Sequence, residues 1–148
     1  MSEHRARVAW RRATPDFAYD TYDRTHEVRF PGGQALQGSA APDYKGDPAK
    51  ANPEEMLAAA LASCHMLTFL AIAARSRLVV DAYEDEAEAT LGKDDGGKLA
   101  VTKVVLRPRV TFAGEAPAPE KLADLHRKAH DNCFVGRSVR CEVVVEPA

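Results

Sequence analysis

The sequence predicts an α+β fold in which antiparallel strands flank at least one buried helix. Two observations carry this. Apolar and polar residues alternate with period two near the N-terminus and again beyond Tyr83, and a long Ala-rich helical segment interrupts them after Asn52.

The first strand spans Ala6 to Arg11, where Ala6, Val8 and Trp10 alternate with Arg7, Ala9 and Arg11. A turn at Ala13-Thr14-Pro15-Asp16 follows. Phe17, Tyr19 and Thr21 then alternate, as do His26, Val28 and Phe30, and Pro31-Gly32-Gly33 ends that run. A short strand covers Gln34 to Ser39, and Ala41 to Ala51 reads as a loop. Asn52-Pro53-Glu54-Glu55 then opens a helix. Asn52 caps, Pro53 suits the first helical position, and the glutamates face the positive end of the dipole. Glu55 stands where a capping-box carboxylate belongs. The helix should run to about Ala74 and, being apolar nearly all round, should be buried. Tyr83 to Leu91 returns to strand periodicity, with Glu84, Glu86 and Glu88 on one face. Asp94-Asp95-Gly96-Gly97 predicts a hairpin into a long strand, Leu99 to Phe112, bent at Pro108. A second helix covers Glu120 to Asn132, and a strand from Val139 to Val145 closes the chain.

With 148 residues, the chain is expected to form a single domain over 1–148. Hydrophobic residues make up 45% and charged residues 28%, with a formal net charge of -2 and no basic stretch. Neither nucleic acid nor an anionic membrane is an expected partner. The charged N-terminus lacks the apolar run of a secretory signal. The apolar-rich stretch Met56 to Ala74 is broken by Cys64 and His65 and ends at Arg75, which argues against a membrane span. A cytoplasmic, thiol-reducing setting is expected, and three cysteines argue against a purely structural disulfide framework.

Cys64 lies inside the first helix, Cys133 at the end of the second, and Cys141 on an apolar strand face where it reads as core. Cys64 could equally be a small core residue. If the fold brings Cys64 and Cys133 together, two-step chemistry becomes available. A thiolate attacks a peroxide O–O bond and becomes a sulfenic acid, and the second thiol condenses with it to a disulfide. The first step needs a cation to lower the thiol pKa and a donor for the leaving alkoxide, and arginine serves both needs. A metal site is the main rival. His126, His130 and Cys133, spaced i, i+4, i+7, share one helix face, and Cys64 or His65 could complete a tetrahedral set. A non-catalytic stress or binding protein with a fortuitous cysteine pair is the second.

The run Asn52-Pro53-Glu54-Glu55 through Ala62-Ser63-Cys64-His65 resembles the reactive helix of the OsmC/Ohr family, the osmotically inducible and organic hydroperoxide resistance proteins. Cys133, late in a second helix and before the final strand, matches that family's resolving cysteine. The resemblance covers about Arg24 to Val145. Phe134, where the best-known members have Pro, and His65 after the first cysteine mark a divergent OsmC-like branch.

The resemblance implies an intertwined homodimer with strands wrapped around central helices. It also implies a cysteine-based peroxidase that reduces organic hydroperoxides, with a thiol reductant such as a dihydrolipoyl protein. No cofactor and no metal are implied. Glu54 is the implied site glutamate. The implied arginine comes from the N-terminal hairpin, with Arg24 first by position and Arg29 and Arg11 as fallbacks. Glu54 and Cys64 are ten positions apart, so one straight helix separates them by roughly 15 Å. If Glu54 serves a Cys64 site, it comes from another subunit's helix, and each site is composite.

Overall fold

A computed structural model describes residues 1–148. The chain divides into two units, residues 1–56 and 57–148.

In the first unit, β1 (Arg7–Ala9), β2 (His26–Arg29) and β3 (Ala35–Gly38) form an antiparallel sheet in that order. Val8 faces Val28, which faces Leu36. The predicted turn joins β2 to β3: Phe30 N–H donates to Gln34 O at 2.8 Å and Gly33 takes a positive φ of 91°. The alternation of Phe17, Tyr19 and Thr21 predicts extended chain, but this stretch is a turn. The N–H groups of Thr21 and Tyr22 both donate to Ala18 O, at 3.1 and 3.0 Å. The Tyr19 and Tyr22 carbonyls accept hydrogen bonds from Arg24, so these acceptors serve a guanidinium instead of a neighbouring strand. In the predicted loop, Pro42–Tyr44 forms one 3-10 turn. Gly46 beyond it is required by close approach, since a Cβ there would lie 1.6 Å from Ala40 O.

The helix α1 (Pro53–Arg75) begins with the expected capping box. Glu55 N–H donates to Asn52 Oδ1 and Asn52 N–H donates to Glu55 Oε2, both at 2.9 Å. Arg77 ends the helix in the left-handed region, and Leu78 N–H reaches back to Ala73 O at 3.0 Å.

The second unit contains the body of α1, β4 (Val80–Asp85), β5 (Glu88–Lys93), β6 (Leu99–Leu106), β7 (Pro108–Phe112), α2 (Pro119–Asn132) and β8 (Glu142–Val145). Two predicted strands are each split in two. The breaks face each other, because β4 pairs with β7 and β5 pairs with β6, all antiparallel. Pro108 has no N–H for a continuous ladder, and Asp85 takes Arg107 N–H through Oδ1 at 2.7 Å. The long hairpin thereby passes from a two-stranded sheet into a three-stranded one, ordered β5-β6-β8, in which β6 and β8 are parallel. The hairpin tip is as expected, with Asp94 Oδ1 accepting from Gly96 and Lys98 N–H and Gly97 at φ 77°. The last strand starts at Glu142, later than expected, because the chain bends at Arg140 and Cys141 after the 3-10 turn Gly136–Ser138.

α1 contributes to two core clusters. Ala58 and Leu61 pack with Val104 and Leu106, and the partly buried Cys141 packs against this group. Phe69 and Ala73 pack with Leu125 and Ala129 of α2. Leu61 and Phe69 are fully buried, each contributing about 1.5–3 kcal/mol by leaving water. The expectation of a helix buried all round is corrected. Ala58, Leu61, His65, Phe69 and Ala73 form the buried face, while Ala60, Ser63, Leu67, Ala71 and Ala74 are exposed on another. By length and composition alone α1 could cross a membrane; its buried face packs on the two core clusters.

Candidate active site

The sequence-predicted residues fall in both units. In the first, Arg24 is 9% exposed, whereas Arg11 is exposed and Arg29 lies on the surface against Glu27 at 3.1 Å. The Arg24 guanidinium lies 3.8 Å from the Tyr22 ring centroid and 5.3 Å from that of Tyr19. Nη1 donates to Tyr22 O and Nη2 to Tyr19 O, both at 2.6 Å. No carboxylate pairs with it, Glu54 included. A charge of this kind, partly desolvated and held by neutral partners, is available to an anion.

Arg24 lines a cavity of about 400 Å³ whose wall includes Trp10, Phe17, Tyr22 and His26. Three of these rings form an aromatic cluster, with Trp10 and Phe17 centroids 5.7 Å apart and Phe17 and Tyr22 5.2 Å apart. Trp10 Nε1–H donates to Asp23 O at 2.7 Å, which ties β1 to the Arg24 loop.

In the second unit, Cys64 and Cys133 come within side-chain hydrogen-bonding reach, and both are free thiols. Cys64 is half-buried in mid-helix. Cys133 is the C-cap of α2 and is 3% exposed. Burial and the hydrogen bond to Cys64 push the Cys133 thiol up to about 11, opposed by Gly136 N–H donating to its sulfur at 3.3 Å. Cys133 is therefore a protonated donor toward Cys64 at neutral pH. Cys141 is a partly buried free thiol that packs against the first core cluster.

The residue after Cys64 also faces α2. His65 Nε2 and His126 Nδ1 lie 3.1 Å apart, with the rings parallel to within 4°. Both imidazoles are lowered to about 4, His126 by burial and His65 by burial together with the neighbouring His126 and His130. His126 is 4% exposed, whereas His130, one turn on, is exposed. No three His, Cys, Asp or Glu side chains converge as metal ligands, so the i, i+4, i+7 spacing does not assemble the tetrahedral set considered above. The aromatic wall and the histidine pair were not anticipated as site features. For the pair, a signal existed: one histidine adjoins Cys64, and the other stands two turns before Cys133.

The profile of the family described as OsmC-like protein matches residues 45–148. The chain belongs to the OsmC-like family. An OsmC-like protein of unknown function from Vibrio cholerae is 46% identical, with a TM-score of 0.92 over all of both chains. The organic hydroperoxide resistance protein OhrB of Bacillus subtilis is 22% identical, with a TM-score of 0.70 over 97% of this chain and 98% of that one. An organic hydroperoxide resistance protein of Elizabethkingia anophelis is 17% identical, with a TM-score of 0.73 over 99% and 94%. At these lower identities the likeness is one of fold. YmaD of Bacillus subtilis is 29% identical over 98 residues, spanning 64% of this chain and 64% of YmaD. The OsmC-like match includes α1 from its capping box, both helix cysteines and β8, and leaves the Arg24 loop outside it.

Proposed function

We propose that this OsmC-like protein is a thiol-dependent peroxidase for organic hydroperoxides, working as a homodimer in which the two units act as one OsmC-like domain. The observation that carries the reading is the contact between Cys64 and Cys133 on two different helices. The Cys64 thiolate attacks the O–O bond, S–O forms, and the alkoxide leaves and is protonated. Sulfur is oxidised to sulfenic acid and the peroxide is reduced to an alcohol. Cys133 then condenses with Cys64, releasing water, and a dithiol such as a dihydrolipoyl group returns both thiols. Arg24 supplies the positive charge for thiolate and leaving oxygen, and Glu54 of the partner subunit orients it. No Lys or Arg lies between Ala51 and Ala74, so a cation for Cys64 must come from outside that stretch. The small-residue face of α1, with Leu67 61% exposed, supports a second copy packing there and composite sites. The aromatic wall beside Arg24 supports an organic group on the substrate.

The test is mass spectrometry after one equivalent of organic hydroperoxide. A Cys64–Cys133 bond is expected in the wild type, and a lasting sulfenic acid at Cys64 in Cys133→Ser. A Cys64–Cys141 bond, or no thiol oxidation, would sink the reading.

A further inference from the structure

The contact of α1 with α2 carries two polar pairs from adjacent residues of α1. Cys64 meets Cys133, and His65 meets His126 through the 3.1 Å contact. Phe69 stacks on His126 with centroids 4.4 Å apart. Ala129, fully buried and lying between His126 and Cys133 on α2, lets the helices come close.

This pair is a poor source of stability. His65 Nδ1 and His126 Nε2 are buried with no hydrogen-bond partner. Each such orphan carries a desolvation cost that two apolar residues would avoid. What a hydrogen bond supplies, and an apolar contact does not, is direction. Phe69 against Leu125 and Ala129 tolerates a small rotation or slide of α2, whereas the bond between His65 and His126 does not. Cys133 ends the same helix, so any such movement carries its sulfur.

We propose that the His65–His126 hydrogen bond is a positioning clamp that sets the register of α2 on α1 and thereby the approach of the Cys133 thiol to Cys64. His65 and His126 are positioning residues, distinct from the thiols they align. The step served rests on the peroxidase reading. In it, Cys133 sulfur attacks the sulfenic sulfur of Cys64, S–S forms, S–O breaks, and the hydroxyl leaves as water with the Cys133 proton. The clamp itself concerns geometry and can be tested without peroxide.

The reacting atoms allow two kinds of variant. His126 bonds through Nδ1, a position that an asparagine amide reproduces, and His65 bonds through Nε2, which glutamine reproduces. His126→Phe keeps the aromatic packing and removes the bond. Purified full-length protein is treated with diamide, which takes two electrons and two protons from the thiol pair and becomes the hydrazine. The rate of the Cys64–Cys133 crosslink is read by mass. His126→Phe should close the disulfide roughly tenfold or more slowly, as a displacement near 1 Å would cause, while His126→Asn and His65→Gln stay within about threefold of wild type. With peroxide, His126→Phe should accumulate sulfinic acid at Cys64 where wild type gives disulfide. Thermal unfolding of each variant identifies any loss of fold, in which case the Asn and Gln variants carry the test. Wild-type crosslinking in His126→Phe, or equal slowing in His126→Phe and a folded His126→Asn, overturns the clamp. Normal diamide closure without any reaction with peroxide would instead reject the peroxidase reading and leave the clamp standing.

Discussion

The Arg24 loop and the thiol layer solve opposite problems with opposite materials. Arg24 is a permanent charge held in an irregular turn, by backbone carbonyls and ring faces, beside an open cavity. The thiols and histidines lie where two regular helices meet, and burial keeps Cys133 protonated and both imidazoles neutral. A charge can be stored near a surface because water and neutral dipoles support it. A thiol pair that must form a bond needs rigid elements and little water. On the proposed reading the two regions complete one site, and the predictions below test that division.

The largest effect should come from the thiols. Cys64→Ser should reduce organic hydroperoxide consumption to background, and Cys141→Ser should leave it nearly intact, because Cys141 packs on a core cluster while Cys133 is the sulfur that reaches Cys64. Equal loss in both would erase the distinction between core sulfur and reactive sulfur.

Next in size is the charge. Arg24→Met should slow oxidation of Cys64 by about a hundredfold, the scale of losing one oriented donor, while Arg29→Met changes it by less than about twofold. Mixed dimers of Arg24→Met with Cys64→Ser should regain activity if the site is composite. Proven exchange without recovery would place Arg24 within its own chain's site or outside the chemistry.

A smaller effect should separate substrate classes. Phe17→Ala opens the aromatic wall and should lower the rate with a bulky aromatic hydroperoxide by roughly tenfold, leaving hydrogen peroxide largely unaffected. Parallel losses with both oxidants would mean that the cavity does not sort them.

The last effect is on stability and not on rate, and it concerns the histidine pair. Both imidazoles are lowered from 6.5 to about 4, so the unfolded chain binds protons that the fold refuses. Their contribution is whole above pH 6.5 and is lost as pH falls through 4. Urea unfolding at pH 7 and near pH 4.5 should show a loss on the order of 2 kcal/mol that His126→Asn reduces. An unchanged pH dependence in that variant would show that the pair does not titrate with folding.

The same division explains what could be read from the sequence. The thiol region was legible because its residues sit on helices with strong local signals, the Asn52–Glu55 capping box and the Pro119 start, so Cys64 and Cys133 could be placed before any contact was known. The Arg24 turn was not, because Phe17, Tyr19 and Thr21 carry the alternation of a strand while a long-range side chain captures their carbonyls. Periodicity reports which face a residue takes and not which acceptor is spent. The split hairpin was half visible: Pro108 marked a bend, but the facing break at Glu86–Ala87 follows from pairing, which only the fold determines. The burial of His126 was not legible, because its helix neighbours are charged and its partner His65 lies 61 positions away.

Trp10 is the chain's single tryptophan, and its indole forms part of the wall around Arg24. Its ring lies 6.1 Å from Tyr22, and its N–H is held by Asp23 O. The protein therefore carries a built-in optical reporter at one place. With excitation selective for tryptophan, a fluorescence change on adding a hydroperoxide, an alcohol product or a second subunit reports on that wall, with no label attached, and its time course can be set beside the mass of the thiols.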